Sequence, residues 1–185
     1  MARIAIIGDG PAGLSAALFL AKNGQDATVF GKDETAMHYA MLHNYLGIDA
    51  ITGSEFQAKA RAQVEGLGAT LVDAEVTELA TDGAGFRLTT AEGGSDTADY
   101  LVLAAARPGA ALAAELGIEA PKTGIPTDEQ QLTSVDRVYA VGRIARQHRS
   151  QAIISAGAGA VAALDILSGE AGKDVADWDS PPDEG

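Results

Sequence analysis

The chain has 185 residues and no cysteine, which excludes disulfides, thiolate metal sites, cysteine nucleophiles and C-x-x-C redox relays within it. Thirteen Lys and Arg stand against 26 Asp and Glu, a formal charge of −13; this argues against nucleic acid, which is held by clustered cations, and against an anionic membrane surface. With 46% hydrophobic but only 5% aromatic residues, the composition is globular, with a core of small and branched aliphatics.

In chain order, residues 4–7 predict a strand that runs straight into Gly8-x-Gly10-x-x-Gly13, and a helix is expected over 12–23 with Gly24 as its cap. A strand, a glycine turn and a helix together point to dinucleotide binding. Gly8 allows the tight turn, Gly10 lets the backbone approach a pyrophosphate, and Gly13 lets helix and strand pack closely. The open N–H groups and positive end of the helix would face the phosphates. Asp9, in the variable slot, adds a carboxylate that repels phosphate. Residues 27–30 form a second, parallel strand. It should end in an acid for the ribose hydroxyls, but Phe30, Gly31 and Lys32 come first, and Asp33 and Glu34 follow late. Lys32 has two readings, a contact to an extra phosphate or a solvated surface charge.

Residues 35–53 look irregular. Ser54 is the expected N-cap of a helix over 55–67, with Phe56, Ala60, Val64 and Leu67 on one face. Three strand-like runs follow, 69–79, 85–90 and 97–104, separated by two strong turn signals, so a β-meander is expected. The stretch 100–106 is continuously apolar, as a buried parallel strand is. Residues 107–134, with Pro108, Pro121 and Pro126, read as a connector. A short buried strand spans 138–141, and a final helix 152–168. The domain is expected to end there, at 1–168. Residues 169–185 form an acidic tail, expected to be mobile.

The N-terminus shows no signal peptide, and the longest apolar stretch, 152–164, is 13 residues, too short to span a bilayer. A soluble, cytoplasmic protein is expected. The acidity has two open readings, adaptation to a high-salt cytoplasm or an acidic protein of ordinary salt. His38, His43 and His148 carry no metal-ligand pattern, and no metal site is assigned; they are pocket-lining or surface residues, or handle protons beside a cofactor. Arg143, Arg146 and Arg149 form a small basic cluster, either solvated or an anion contact.

Taken together, G-x-G-P-A-G over 8–13, Asn44-Tyr45-Leu46-Gly47, the apolar run 101–107, the V-Y-A-V-G of 138–142 and the segment 151–163 form a family pattern. The chain resembles the FAD domain of thioredoxin reductases and related two-domain pyridine nucleotide-disulfide flavoproteins, over roughly residues 3–168. The resemblance implies an α/β, three-layer Rossmann-like FAD/NAD(P)-binding fold with a β-meander crossover. It implies FAD held by Gly8, Gly10, Pro11, Ala12 and Gly13, by Gly31, Lys32, Asn44, Val76 and Ala105, and by Gly142, Arg143, Gln151 and Ala152.

The departures are specific. Such reductases insert an NADPH domain after the apolar strand; here Arg107-Pro108 passes almost directly to Gly124-Ile125-Pro126. With that domain and the C-x-x-C missing, the chain is not a thioredoxin reductase. The family's G-G-Q-L is replaced by Ala36-Met37-His38-Tyr39. Gly142-Arg143 stands where the family has G-D, whose Asp bonds the flavin's ribityl and pyrophosphate region. Arginine accepts no hydrogen bond, but it pairs with phosphate as a fork donor. The flavin is then either bound in an altered way, or the site is degenerate. The expected function is a small flavoprotein oxidoreductase that exchanges electrons with an electron-transfer protein or a diffusible substrate. The alternative is a nucleotide-binding module without redox chemistry, acting as sensor or scaffold. A homodimer through the edge left by the missing domain is a further expectation. No residue is assigned as catalytic.

Overall fold

Strand residues alternate between two faces, and in this chain both faces are apolar, so the central sheet is covered twice. The computed structural model describes residues 1–106 and 108–181. β1 (Arg3–Ile7), α1 (Pro11–Lys22) and β2 (Asp26–Phe30) form the first unit. Two short strands, β3 (Met41–Leu42) and β4 (Ile51–Thr52), precede α2 (Gly53–Gly66) and β5 (Thr70–Val72). The meander is β6 (Val76–Asp82), β7 (Gly85–Thr90) and β8 (Ser95–Ala98). β9 (Tyr100–Leu103), α3 (Pro108–Glu115), β10 (Val138–Ala140) and α4 (Ala152–Ala171) follow.

The main sheet has the order β10-β9-β1-β2-β5, with every neighbouring pair parallel. On one face Ile4, Ile6, Val29 and Val102 pack under α1, α2 and α4. On the other, Ala5, Ile7, Leu101 and Leu103 pack against the meander and α3. These are the three layers expected from the sequence. Each fully buried Ile, Leu or Val side chain contributes about 1.5–3 kcal/mol of apolar burial.

α1 and α4 cross at backbone distance: a Cβ on Gly159 would stand 2.0 Å from the Ala12 carbonyl oxygen. Ala16, Ala17, Ala162 and Ala163 are fully buried. The alanine- and glycine-rich composition is the condition for that approach. Tyr139 ties β10 to α4, its hydroxyl donating to Asp165 Oδ2 at 2.6 Å. Burial, and then this bond, push the Tyr139 phenol well above its ordinary value.

Several boundaries differ from the sequence reading. α1 is capped by Asn23 rather than Gly24. α2 starts at Gly53, because Thr52 and Glu55 close a reciprocal capping box; Ser54 is not the cap. Gly53 is required there, since a Cβ would meet the Met37 carbonyl oxygen at 1.9 Å. The buried face of α2 is also rotated: Gly53, Gln57 and Val64 are buried while Leu67 is exposed. The runs 69–79 and 97–104 each divide, because the chain changes sheets at Asp73–Glu75 and at Asp99. At the second crossing Arg3 and Asp99 bond reciprocally, Arg3 N–H to Asp99 Oδ2 and Asp99 N–H to the Arg3 carbonyl, both at 2.8 Å.

The connector contains a helix, α3. Pro108 sits at its first position, where proline starts a helix rather than breaking one. α4 runs on to Ala171, ended by Gly172 in the left-handed region at φ 64°. Its 20 residues, of mean hydropathy 1.7, are long and apolar enough to cross a membrane by length and composition. Here Ala162, Ala163, Ile166 and Leu167 are buried in the core against α1 and the sheet. Beyond it, Val175 N–H donates to Ser168 Oγ at 3.0 Å, and Lys22 Nζ reaches Asp177 at 3.0 Å and Asp179 at 2.5 Å. The last four residues of the expected tail lie outside the described residues, as does Arg107.

Candidate functional site

The C-terminal ends of β1, β2 and β9 open into a cavity of about 570 Å³, a size that accommodates a cofactor half or more. Its floor is the glycine turn. Gly8, at φ 115°, is forced by backbone: a Cβ would stand 2.6 Å from the Ala105 nitrogen. Gly13 is forced likewise, with the Gly8 carbonyl oxygen 1.9 Å from where its Cβ would lie. Gly10 differs. Only Thr35 Oγ1, at 3.4 Å, lies near its missing Cβ, so the face above it is open to a ligand.

Two helices begin at this cavity. α1 has Gly10 as N-cap and α4 has Gln151, and at neither does a cap side chain accept from the helix N–H groups. The first-turn N–H groups of both are therefore open to an anion. Gly142, at φ 73°, packs between them, 2.9 Å from the Ala12 Cβ by its own missing Cβ. Arg143 lines the same cavity. Its Nε lies 3.4 Å from Ser150 Oγ, and no described carboxylate pairs with it. In a chain of net charge −13, this gathers positive potential at one side of the cavity, from Arg143 and two helix N-termini.

Eleven of the fourteen residues named from the sequence line this cavity: Gly8, Gly10, Pro11 and Ala12 of the turn, Gly31 and Lys32 after β2, and Val76, Ala105, Gly142, Arg143 and Ala152 around the rim. Lys32 also meets Glu92 at 3.6 Å. Three do not line it. Gly13 lies beneath the turn, and Asn44 and Gln151 bond each other, Asn44 Nδ2 donating to Gln151 Oε1 at 3.1 Å. None of the three histidines lines it. His38 bridges two segments, with Nδ1 2.9 Å from Ser54 Oγ and Nε2 2.8 Å from the Asp33 carbonyl oxygen. The loop over 35–53 rests on a small apolar cluster of Met37, Leu42 and Ala152, flanked by Tyr45, Ile51 and Phe56.

By sequence, Asp9 sets a carboxylate beside the glycine turn. The structure buries it at 6% exposure and pairs it with Arg61 of α2 at 2.5 Å. Asp33 N–H donates to the same carboxylate oxygen at 2.9 Å. Gln57, fully buried, donates to the Asp9 carbonyl at 2.6 Å. Sequence reasoning missed Gln57 and Arg61. No local signal marks them, since their partner Asp9 lies 48 and 52 residues away.

The phosphate end thus fits a dinucleotide: open helix donors, an uncovered Gly10, and Arg143 for negative charge. The model for the family described as pyridine nucleotide-disulphide oxidoreductase matches residues 48–160. Among solved structures, the atypical thioredoxin reductase TRi from Desulfovibrio vulgaris Hildenborough is similar with TM-score 0.82 at 21% identity, over 91% of this chain and 97% of that one. A thioredoxin reductase from Gloeobacter violaceus gives 0.80 at 18%, over 97% and 99%. A ferredoxin-flavin thioredoxin reductase from Clostridium acetobutylicum gives 0.78 at 18%, over 90% and 96%. At these identities the likeness is one of fold, which is thioredoxin reductase-like. No curated protein matches the chain in sequence.

Proposed function

The chain belongs to the pyridine nucleotide-disulphide oxidoreductase family, and we propose that it works there as a small flavoprotein oxidoreductase that binds FAD. One observation carries this reading: two uncapped helix N-termini and Arg143 converge on one cavity of an acidic protein. The α1 N–H groups and Gly10 would take the pyrophosphate, with Arg143 as a fork donor beside it. Gly142 and the first turn of α4 would position the flavin half. The chemistry FAD supplies when bound is accepting and passing on an electron pair, while the protein orients it and sets its field. With no cysteine in these 185 residues, the electrons would go to an external carrier protein or a diffusible substrate rather than to a dithiol of this chain.

A second reading, a nucleotide-binding module without redox chemistry, draws on Arg143, since an arginine holds a phosphate but accepts nothing from a ribityl chain. A visible spectrum separates the two. The protein is incubated with FAD at high and at low salt, freed of excess, and scanned. Flavin bands at equimolar occupancy are the expected result. No retained flavin at either salt, together with binding of ADP, would overturn the first reading in favour of the second.

A further inference from the structure

An adenosine ribose at the end of the second strand of such a fold is ordinarily met by an acid, because a carboxylate accepts from its hydroxyls. This chain has Phe30, Gly31 and Lys32 there. The place is nevertheless filled. A Cβ on Gly31 would stand 2.4 Å from Asp9 Cγ and 2.7 Å from Asp9 Oδ1, so the Asp9 carboxylate lies directly over the end of β2. Asp9 lines the cavity as well. Its two oxygens are used unequally. Oδ2 accepts from Arg61 at 2.5 Å and from Asp33 N–H at 2.9 Å. Oδ1 accepts no hydrogen bond among the described residues. An ionised carboxylate only accepts hydrogen bonds, and Oδ1 is not sealed from solvent. The arrangement has one vacant acceptor, beside the strand end where ribose hydroxyls lie.

We propose that Asp9 determines ribose specificity: its Oδ1 accepts a 2′- or 3′-hydroxyl of the bound nucleotide, in place of the acid missing from β2. The inference rests on the dinucleotide reading above. Its second consequence follows from charge, because a carboxylate at that position repels a ribose carrying a 2′-phosphate.

The test uses the full chain and three ligands, ADP, 2′,3′-dideoxy-ADP and adenosine 2′,5′-bisphosphate, titrated calorimetrically. Wild type is expected to bind ADP about tenfold tighter than the dideoxy compound, the size of one hydrogen bond to a charged group. It should bind the 2′-phosphorylated ligand weakest. In Asp9→Ala the ADP preference should shrink to within about twofold. Should that variant fail to fold by circular dichroism, Asp9→Asn keeps the shape and removes the charge, and its rejection of the 2′-phosphate should relax. Equal wild-type affinity for ADP and the dideoxy compound would overturn the proposal while leaving nucleotide binding intact. No binding of any of the three, nor of FAD, would overturn the dinucleotide reading itself.

Discussion

The two ends of the cavity are built from different materials. At the phosphate end the constraints are backbone against backbone: Gly8 against Ala105, Gly13 against the Gly8 carbonyl, Gly159 against the Ala12 carbonyl. At the other end, residues 35–53 rest on a small cluster and on bonds between exposed side chains, such as Asn44 with Gln151 and His38 with Ser54. Tyr39 and Leu46 of that loop are about nine-tenths exposed. Backbone contacts have no rotamers and admit no substitution, whereas side-chain contacts repack. The glycine-turn end therefore admits few substitutions. The loop over 35–53 is the part that can diverge, and the replacement of the family's G-G-Q-L lies there.

The largest expected effect breaks the rigid end. Gly13→Ala would place a methyl 1.9 Å from the Gly8 carbonyl oxygen. It should destabilise the protein by about 3 kcal/mol in urea denaturation and abolish flavin retention. Next, Arg143→Ala should leave the fold intact and weaken FAD about 10- to 100-fold, the worth of one or two charge-assisted bonds. Flavin fluorescence titration reads this, and an unchanged affinity would remove Arg143 from the proposed phosphate contact.

Tyr139→Phe probes the anchor that sets α4 against β10. It should cost about 1 kcal/mol at neutral pH. A phenol raised on folding contributes stability that is fully present below its unfolded value near 10 and is lost as pH climbs toward the folded value. Wild-type stability should therefore decline above pH 10, and more gently in the variant. The remaining decline belongs to Tyr100, pushed up to about 12 by burial and by Glu170. Smallest, and aimed at the soft end, Asn44→Ala should change FAD affinity by less than about threefold, because its bond is to Gln151 rather than into the cavity. A tenfold loss would show that the loop end is as constrained as the glycine turn.

Much of this arrangement was legible in the sequence, for reasons that can be named. Residues 4–7 and 138–140 are short apolar runs beside glycine, and the turn between β1 and α1 announces itself through spacing alone. What escaped was either a change of sheet or a distant polar partner. Nothing in 97–104 marks Asp99 as the crossing, because the polar β8 and the apolar β9 run together in sequence without a turn signal and differ in their partners. The prolines of 107–134 read as breakers, yet Pro108 opens α3. At Asp9 the sequence shows the carboxylate but not its partner: it pairs with Arg61, 52 residues away, and no local pattern carries that distance. Gln57 escaped for the same reason, its partner being a backbone carbonyl 48 residues off.

The contact of Gly159 with the Ala12 carbonyl has a further meaning for the site. Gly159 lies about two turns inside α4 and does not itself line the cavity, yet it packs on the backbone of Ala12, which does, and sets how far apart the two helix axes run. The positive ends of α1 and α4 are the jaws of a vice whose opening is fixed by that screw. The spacing of the two helix starts is therefore set at a hydrogen atom in the core, one residue removed from the cavity lining.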